Sequence, residues 1–196
     1  MDFDAEGRLI IPKNKEKKLT KEELIFWKEK YDKENNSLNQ TEEEQLRKSF
    51  QEKGFMSKED FIRILKWKFQ GRLVGRQKRM LNLIKDYDSR QIEQLSKKAF
   101  NSNQDEIRID LLSQIPSIKN SLSSVILTFY NPQGYGILDI HSWRELFGKE
   151  PKDIFSNKKK VIIFFNKLRE IAKETNLSCR EIEKALFKKN IDKDKK

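Results

Sequence analysis

The residues best suited to chemistry lie between Pro116 and Trp143. Asp139, in Ile137-Leu138-Asp139-Ile140-His141, is a lone carboxylate among aliphatic neighbours. It follows a break at Asn131, Pro132, Gly134 and Gly136 and precedes Ser142 to Phe147, which places it at the first turn of a helix. There the helix dipole keeps a carboxylate ionised, and the same residue can serve as an N-cap. Upstream, Ile115-Pro116-Ser117-Ile118-Lys119 reads as a tight turn between two helices. The unpaired N–H groups that open the second helix, at Ser117, Ile118, Lys119, Asn120 and Ser121, suit a phosphate oxygen. A third feature is the run Arg72, Arg76, Lys78 and Arg79, the densest arginine cluster in the chain, since arginine makes bidentate contacts to phosphate. Trp67 beside it is able to stack on a base or to pack in the core.

The charge points the same way. The chain of 196 residues carries a net charge of +11, concentrated in two blocks. Residues 61–100 hold 11 Lys and Arg against 3 Asp and Glu, and 149–196 hold 15 against 8, while 101–148 are slightly acidic. Two basic blocks flanking the turn and the acid suit a polyanion, through contacts that release counterions. Lysines solvating amphipathic helix faces give the same count, and so would a protein-interaction module.

Composition removes other classes. One cysteine, Cys179, excludes an internal disulfide framework and any Cys-based zinc or iron–sulfur site. No glycine-rich phosphate loop, His-x-x-x-His pair or Ser-His-Asp constellation stands out, so neither metal nor cofactor is expected. No run approaches the ~18 apolar residues of a membrane span, and the first residues do not read as a signal peptide, so the expected location is cytoplasmic.

The elements that must hold these residues are helical throughout. Apolar spacings of three and four recur (Leu24, Trp27, Tyr31; Phe61, Ile64, Leu65; Leu122, Val125, Ile126, Phe129; Ile182, Ala185, Leu186), and capping boxes mark starts at Thr20…Glu23, Thr41…Glu44, Ser57…Asp60 and Ser178…Glu181. Ser89 is the expected cap of a fifth helix, 105–115 a sixth, and Gly54 a helix C-terminus. Residues 1–19 are expected to be partly ordered, with Leu9 to Ile11 a short strand; 20–191 form the helical domain, and 192–196 a solvated tail.

The order helix, Pro-containing turn, apolar helix, loop and Leu138-Asp139-Ile140-His141 resembles the helix-hairpin-helix DNA glycosylases, the superfamily of endonuclease III and the 8-oxoguanine glycosylases. Segments 60–73 and 168–187 are similar to uncharacterised glycosylase-like proteins. Ser117 and Lys119 stand where that family carries glycines, and Ser121 where its bifunctional members carry a nucleophilic lysine. The resemblance implies an all-α, two-lobed domain with its helix-hairpin-helix at about 105–130, acting as a monomer on double-stranded DNA. It also implies a single catalytic acid, Asp139, that stabilises an oxocarbenium-like sugar and orients water, without lyase chemistry. A flipped base would need a walled pocket, for which Tyr130, Tyr135, His141, Trp143 and Trp67 are candidates. Each of these reads equally as core or, for His141, as a structural hydrogen-bonder. The alternative is a non-catalytic DNA-binding protein on the same scaffold.

Overall fold

The computed structural model describes residues 19–34, 37–69, 74–149 and 152–194, with side chains throughout except at 37–39, 74 and 76. The expected strand at Leu9 to Ile11, Arg72 and the side chain of Arg76 lie outside the described residues. Within them the fold is all-α: α1 Lys21–Glu34, α2 Ser37–Lys53, α3 Lys58–Phe69, α4 Val74–Lys85, α5 Ser89–Asn101, α6 Asp105–Ser113, α7 Asn120–Tyr130, α8 Ile140–Phe147, α9 Lys158–Thr175 and α10 Cys179–Asp194.

Local chemistry sets most boundaries. Glu23 N–H donates to Thr20 Oγ1 at 3.2 Å, opening α1. Ser57 and Asp60 close a reciprocal capping box ahead of α3, with Ser57 N–H donating to the Asp60 carboxylate at 3.0 Å and Asp60 N–H donating to Ser57 Oγ at 3.2 Å. Ser178 and Glu181 do the same for α10 at 2.8 and 3.2 Å. Gly54, at φ 73, ends α2. Asn176 ends α9 in the left-handed region at φ 56, which a short polar side chain tolerates.

Three sequence expectations are corrected. Thr41 does not open α2, which already runs from Ser37; helical propensity continues through the Thr41…Glu44 box instead of restarting at it. The cap of α5 is Asp88, whose side chain accepts from Arg90 N–H at 2.9 Å, one residue before Ser89. The proposed tail is helix as far as Asp194, because Asp192 pairs with Lys30 at 2.5 Å and with Lys188 at 2.7 Å.

The centre is α7. From Leu122 to Phe129 every side chain is buried, as expected of a helix apolar on all sides, and it packs on α2, α6 and α9. α10 packs on α1, α8 and α9, while α3 packs on α2, α4 and α5. The apolar side chains of all these helices form one cluster.

Candidate functional site

The link between α6 and α7 is built on Pro116 and Ser117. Ile118 N–H donates to Ile115 C=O at 3.1 Å across them, and Ser117 takes φ 73. Proline at the second position and a positive φ at the third are the requirements of a type II turn. Serine pays a steric cost there that glycine would not. Its Oγ is enclosed and has no hydrogen-bond partner among the described residues. The Ile118 N–H expected to be unpaired is thus used within the turn, while its side chain enters the core at 3% exposure and Asn120 is buried too. Lys119 is exposed and Ser121 half-buried. At the start of α7, Leu122 and Ser123 both donate to Lys119 C=O, at 2.8 and 2.9 Å. Lys119 offers no side-chain cap, and the first turn holds no acid. That end of the helix therefore keeps its positive potential uncompensated.

The acid segment is tethered to the same helix. Ser124 Oγ accepts from Leu138 N–H at 3.0 Å and donates to Ser121 C=O at 2.8 Å. Gly136, just upstream, lies so close to α9 and α10 that a Cβ there would fall 2.5 Å from Leu168 Cδ1 and 2.8 Å from Glu183 Cβ. Asp139 then caps α8, its Oδ1 accepting from His141 N–H at 2.7 Å. The residue is half-buried, and Oδ2 makes no hydrogen bond among the described residues. Beneath it lies a buried carboxylate that sequence reasoning missed. Glu183 accepts from Ser142 Oγ at 3.4 Å and from Arg180 Nη1. Burial, helped by the charges of Asp139 and Glu43, holds the Glu183 carboxyl above its usual range against the pull of Arg180.

Arg180 is a hub. It is 6% exposed and donates from Nε and Nη2 to Glu43 at 3.2 and 2.7 Å. Its backbone N–H donates to Pro132 C=O at 3.0 Å. Only the Arg180–Glu183 spacing of three was legible in the sequence; Glu43 lies 137 residues away. A cavity of about 130 Å³ opens beside it, lined by Glu43, Glu44, Arg47, Thr128, Phe129, Pro132 and Arg180.

The expected base-pocket residues are not gathered in that cavity. Tyr130 stacks on Phe100, ring centroids 4.1 Å apart, and donates to the Phe100 carbonyl at 3.2 Å. Tyr135 is buried and donates to Asp105 Oδ1 at 2.7 Å; Arg169 holds the same carboxylate at 2.6 Å. Trp143 is a core residue at 1% exposure. His141 Nδ1 lies 3.0 Å from Asn190 Oδ1, with its ring edge-on to Phe187, a structural arrangement. Trp67 comes nearest to the expectation, its ring edge-on to Phe129 at 4.9 Å, with Nε1 enclosed and without a partner among the described residues.

Of the basic residues, Lys78 and Arg79 are exposed on α4, which packs on α3. In the 158–160 run, Lys158 pairs with Asp110 at 2.7 Å and Lys160 with Asp153, which leaves Lys159 exposed. Among the described residues no group of three His, Cys, Asp or Glu is arranged to hold a metal, and no helix is long and apolar enough to cross a membrane.

Fold and site together define an all-α domain whose turn and acid segment share one central helix. No family model matches the chain, and neither a curated protein nor a solved structure matches it.

Proposed function

We propose that this chain binds double-stranded DNA through the 114–121 turn, as a helix-hairpin-helix protein. The observation that carries the reading is the start of α7, where an exposed lysine adjoins a helix N-terminus with neither acid nor side-chain cap. Backbone N–H groups and the dipole there favour a phosphate oxygen, and Lys119 adds a charge of the right sign. Exposed Lys78, Arg79, Lys97, Lys98 and Lys159 supply a diffuse positive field that strengthens the encounter. The test is equilibrium binding of an undamaged duplex in rising salt. A linear fall of log affinity with log salt is expected. No binding at low salt, or binding indifferent to salt, contradicts the reading.

A second reading, monofunctional base excision by Asp139, is favoured by the Leu138–Ser124 bond, which ties the acid segment to the helix that follows the turn. Capping engages one oxygen of Asp139, so Oδ2 is left to stabilise positive charge on a sugar ring or to orient water. Ser121 offers no amine, so no Schiff base would form. Asparagine caps helices about as well as aspartate. Asp139→Asn therefore separates the two roles: on a panel of single-lesion duplexes it should abolish abasic-site formation while leaving folding and DNA affinity unchanged. Base release equal to that of the parent, or none by the parent on any lesion, removes the enzyme and leaves the DNA-binding scaffold.

A further inference from the structure

The outward face of α1 has no part in either reading above. Inward, Leu24 is buried and α1 packs along α10. Several charges of the helix are paired: Glu23 with Lys189 at 2.9 Å, Lys28 with Asp32 at 3.0 Å and Lys30 with Asp192 at 2.5 Å. The outward stripe differs. Glu22, Phe26, Glu29 and Lys33 follow at spacings of four, three and four, which aligns them along one side of the helix. Glu22, Glu29 and Lys33 are exposed, and their side chains make no hydrogen bond or ion pair among the described residues. Phe26, at 58%, is the most exposed large apolar side chain among the described residues. Its ring stands edge-on to Trp27, centroids 5.1 Å apart, and Trp27 packs against the core. The ring is therefore already held and loses little freedom on docking.

The stripe has an acid at one end, a lysine at the other and an aromatic ring near the middle. Such an order complements itself only when reversed. Laid parallel, two copies would set Glu22 against Glu22 and Lys33 against Lys33. Laid antiparallel about a two-fold axis between residues 27 and 28, Glu22 of each copy faces Lys33 of the other, because the two positions lie equally far from the axis. The two Phe26 rings then meet beside it. Glu29 also approaches its own copy, a repulsion that weakens the pair. Two helices of 14 residues, each about 21 Å long, bury less side by side than the ~1,200 Å² at which standard interfaces begin, so association is weak and concentration-dependent.

We infer that two copies of this chain pair antiparallel through α1, with the Phe26 rings in contact and Glu22 of each copy beside Lys33 of the other.

The test is sedimentation equilibrium of the whole chain at rising concentration, in low salt and without DNA. The average mass should climb from that of one chain toward that of two. Phe26→Ser should keep the chain monomeric, and Glu22→Lys should weaken the pair about tenfold, since two contacts turn repulsive. Adding Lys33→Glu to Glu22→Lys should restore the affinity of the parent, and Glu29→Gln should exceed it. All four positions are exposed, so these exchanges should leave the fold intact. A parent chain still monomeric at about 1 mM overturns the assignment, as does a double exchange no tighter than Glu22→Lys alone. Pairing that persists in Phe26→Ser puts the contact on another face and overturns it too. Because no DNA enters the experiment, its failure leaves the DNA reading untouched, and the reverse holds.

Discussion

Leu138 donates its backbone N–H to Ser124 Oγ at 3.0 Å, and through that one bond the acid segment is joined to the helix that follows the turn. Ser124 is fully buried, so water cannot replace its hydroxyl without rearrangement. Ser124→Ala should leave the Leu138 N–H unsatisfied and cost about 1–3 kcal/mol, measured as the shift in urea midpoint at unchanged slope. An unshifted midpoint would mean that the bond does not hold the segment.

Ser117 occupies a backbone conformation that suits glycine better, at φ 73. Ser117→Gly relieves the steric cost but adds freedom to the unfolded chain. Since its hydroxyl is enclosed without a partner among the described residues, none of their bonds is lost. The net expectation is a gain of up to about 1 kcal/mol in chemical denaturation. A loss of stability would show that the hydroxyl contributes more than the strain costs.

Arg180 joins α2 to α10 by holding Glu43 and Glu183 from a buried position. Removing the cation leaves two carboxylates facing each other in the interior. Arg180→Met should destabilise the fold by about 3–5 kcal/mol, whereas Glu44→Gln, at the exposed rim, should change it by less than about 0.5 kcal/mol. Thermal melts of the two variants side by side measure the difference.

Acid should unfold the protein through a few identifiable carboxylates. Burial alone would raise Asp105, but the bonds from Arg169 and Tyr135 outweigh it and hold its carboxyl below the usual range. Burial is likewise outweighed at Asp60 by Ser57, Ser49 and Lys53, and at Glu145 by Lys189 and Lys193. Bonds from Lys188 and Lys30 bring Asp192 down to about 2. A carboxyl lower in the folded than in the unfolded chain contributes stability in full above the unfolded value, about pH 4, and loses it as pH falls through the folded value. Glu183 is shifted the other way, so its contribution is full at low pH and fades as pH rises past the unfolded value. The melting temperature should therefore drop steeply between about pH 4 and 2, and Asp105→Asn should flatten part of that drop. An equally steep acid limb in that variant would remove Asp105 from the list of groups responsible.

Much of the scaffold is legible in the sequence because it depends on neighbours. Apolar spacing located the helices, the Ser57 and Ser178 boxes located two starts, and Pro116 located the turn. The capping use of Asp139 was visible for the same reason, since an N-cap is read from the residues that follow it. What was hidden depends on distant partners. The Arg180–Glu43 pair and the Asp105–Tyr135–Arg169 group join residues 30 to 137 positions apart, and no periodicity announces them. The same blindness made Tyr130, Tyr135 and Trp143 plausible pocket walls, although each is occupied by packing or a bond to a distant residue. A lysine-rich terminus resembles a solvated tail, which hides the end of α10 from a sequence pattern. Lys188 and Lys189, only 5% exposed each, instead meet acids from α1 and α8.

The proposed DNA binding depends on whether the start of α7 grips the duplex. The most direct measurement compares the parent chain with Lys119→Glu in duplex binding across a series of salt concentrations. Lys119 is exposed and makes no capping bond, so the exchange should leave the fold intact. The prediction is at least a tenfold loss of affinity at low salt, with a shallower salt slope, because one phosphate contact is replaced by repulsion. An affinity and slope equal to those of the parent would contradict it.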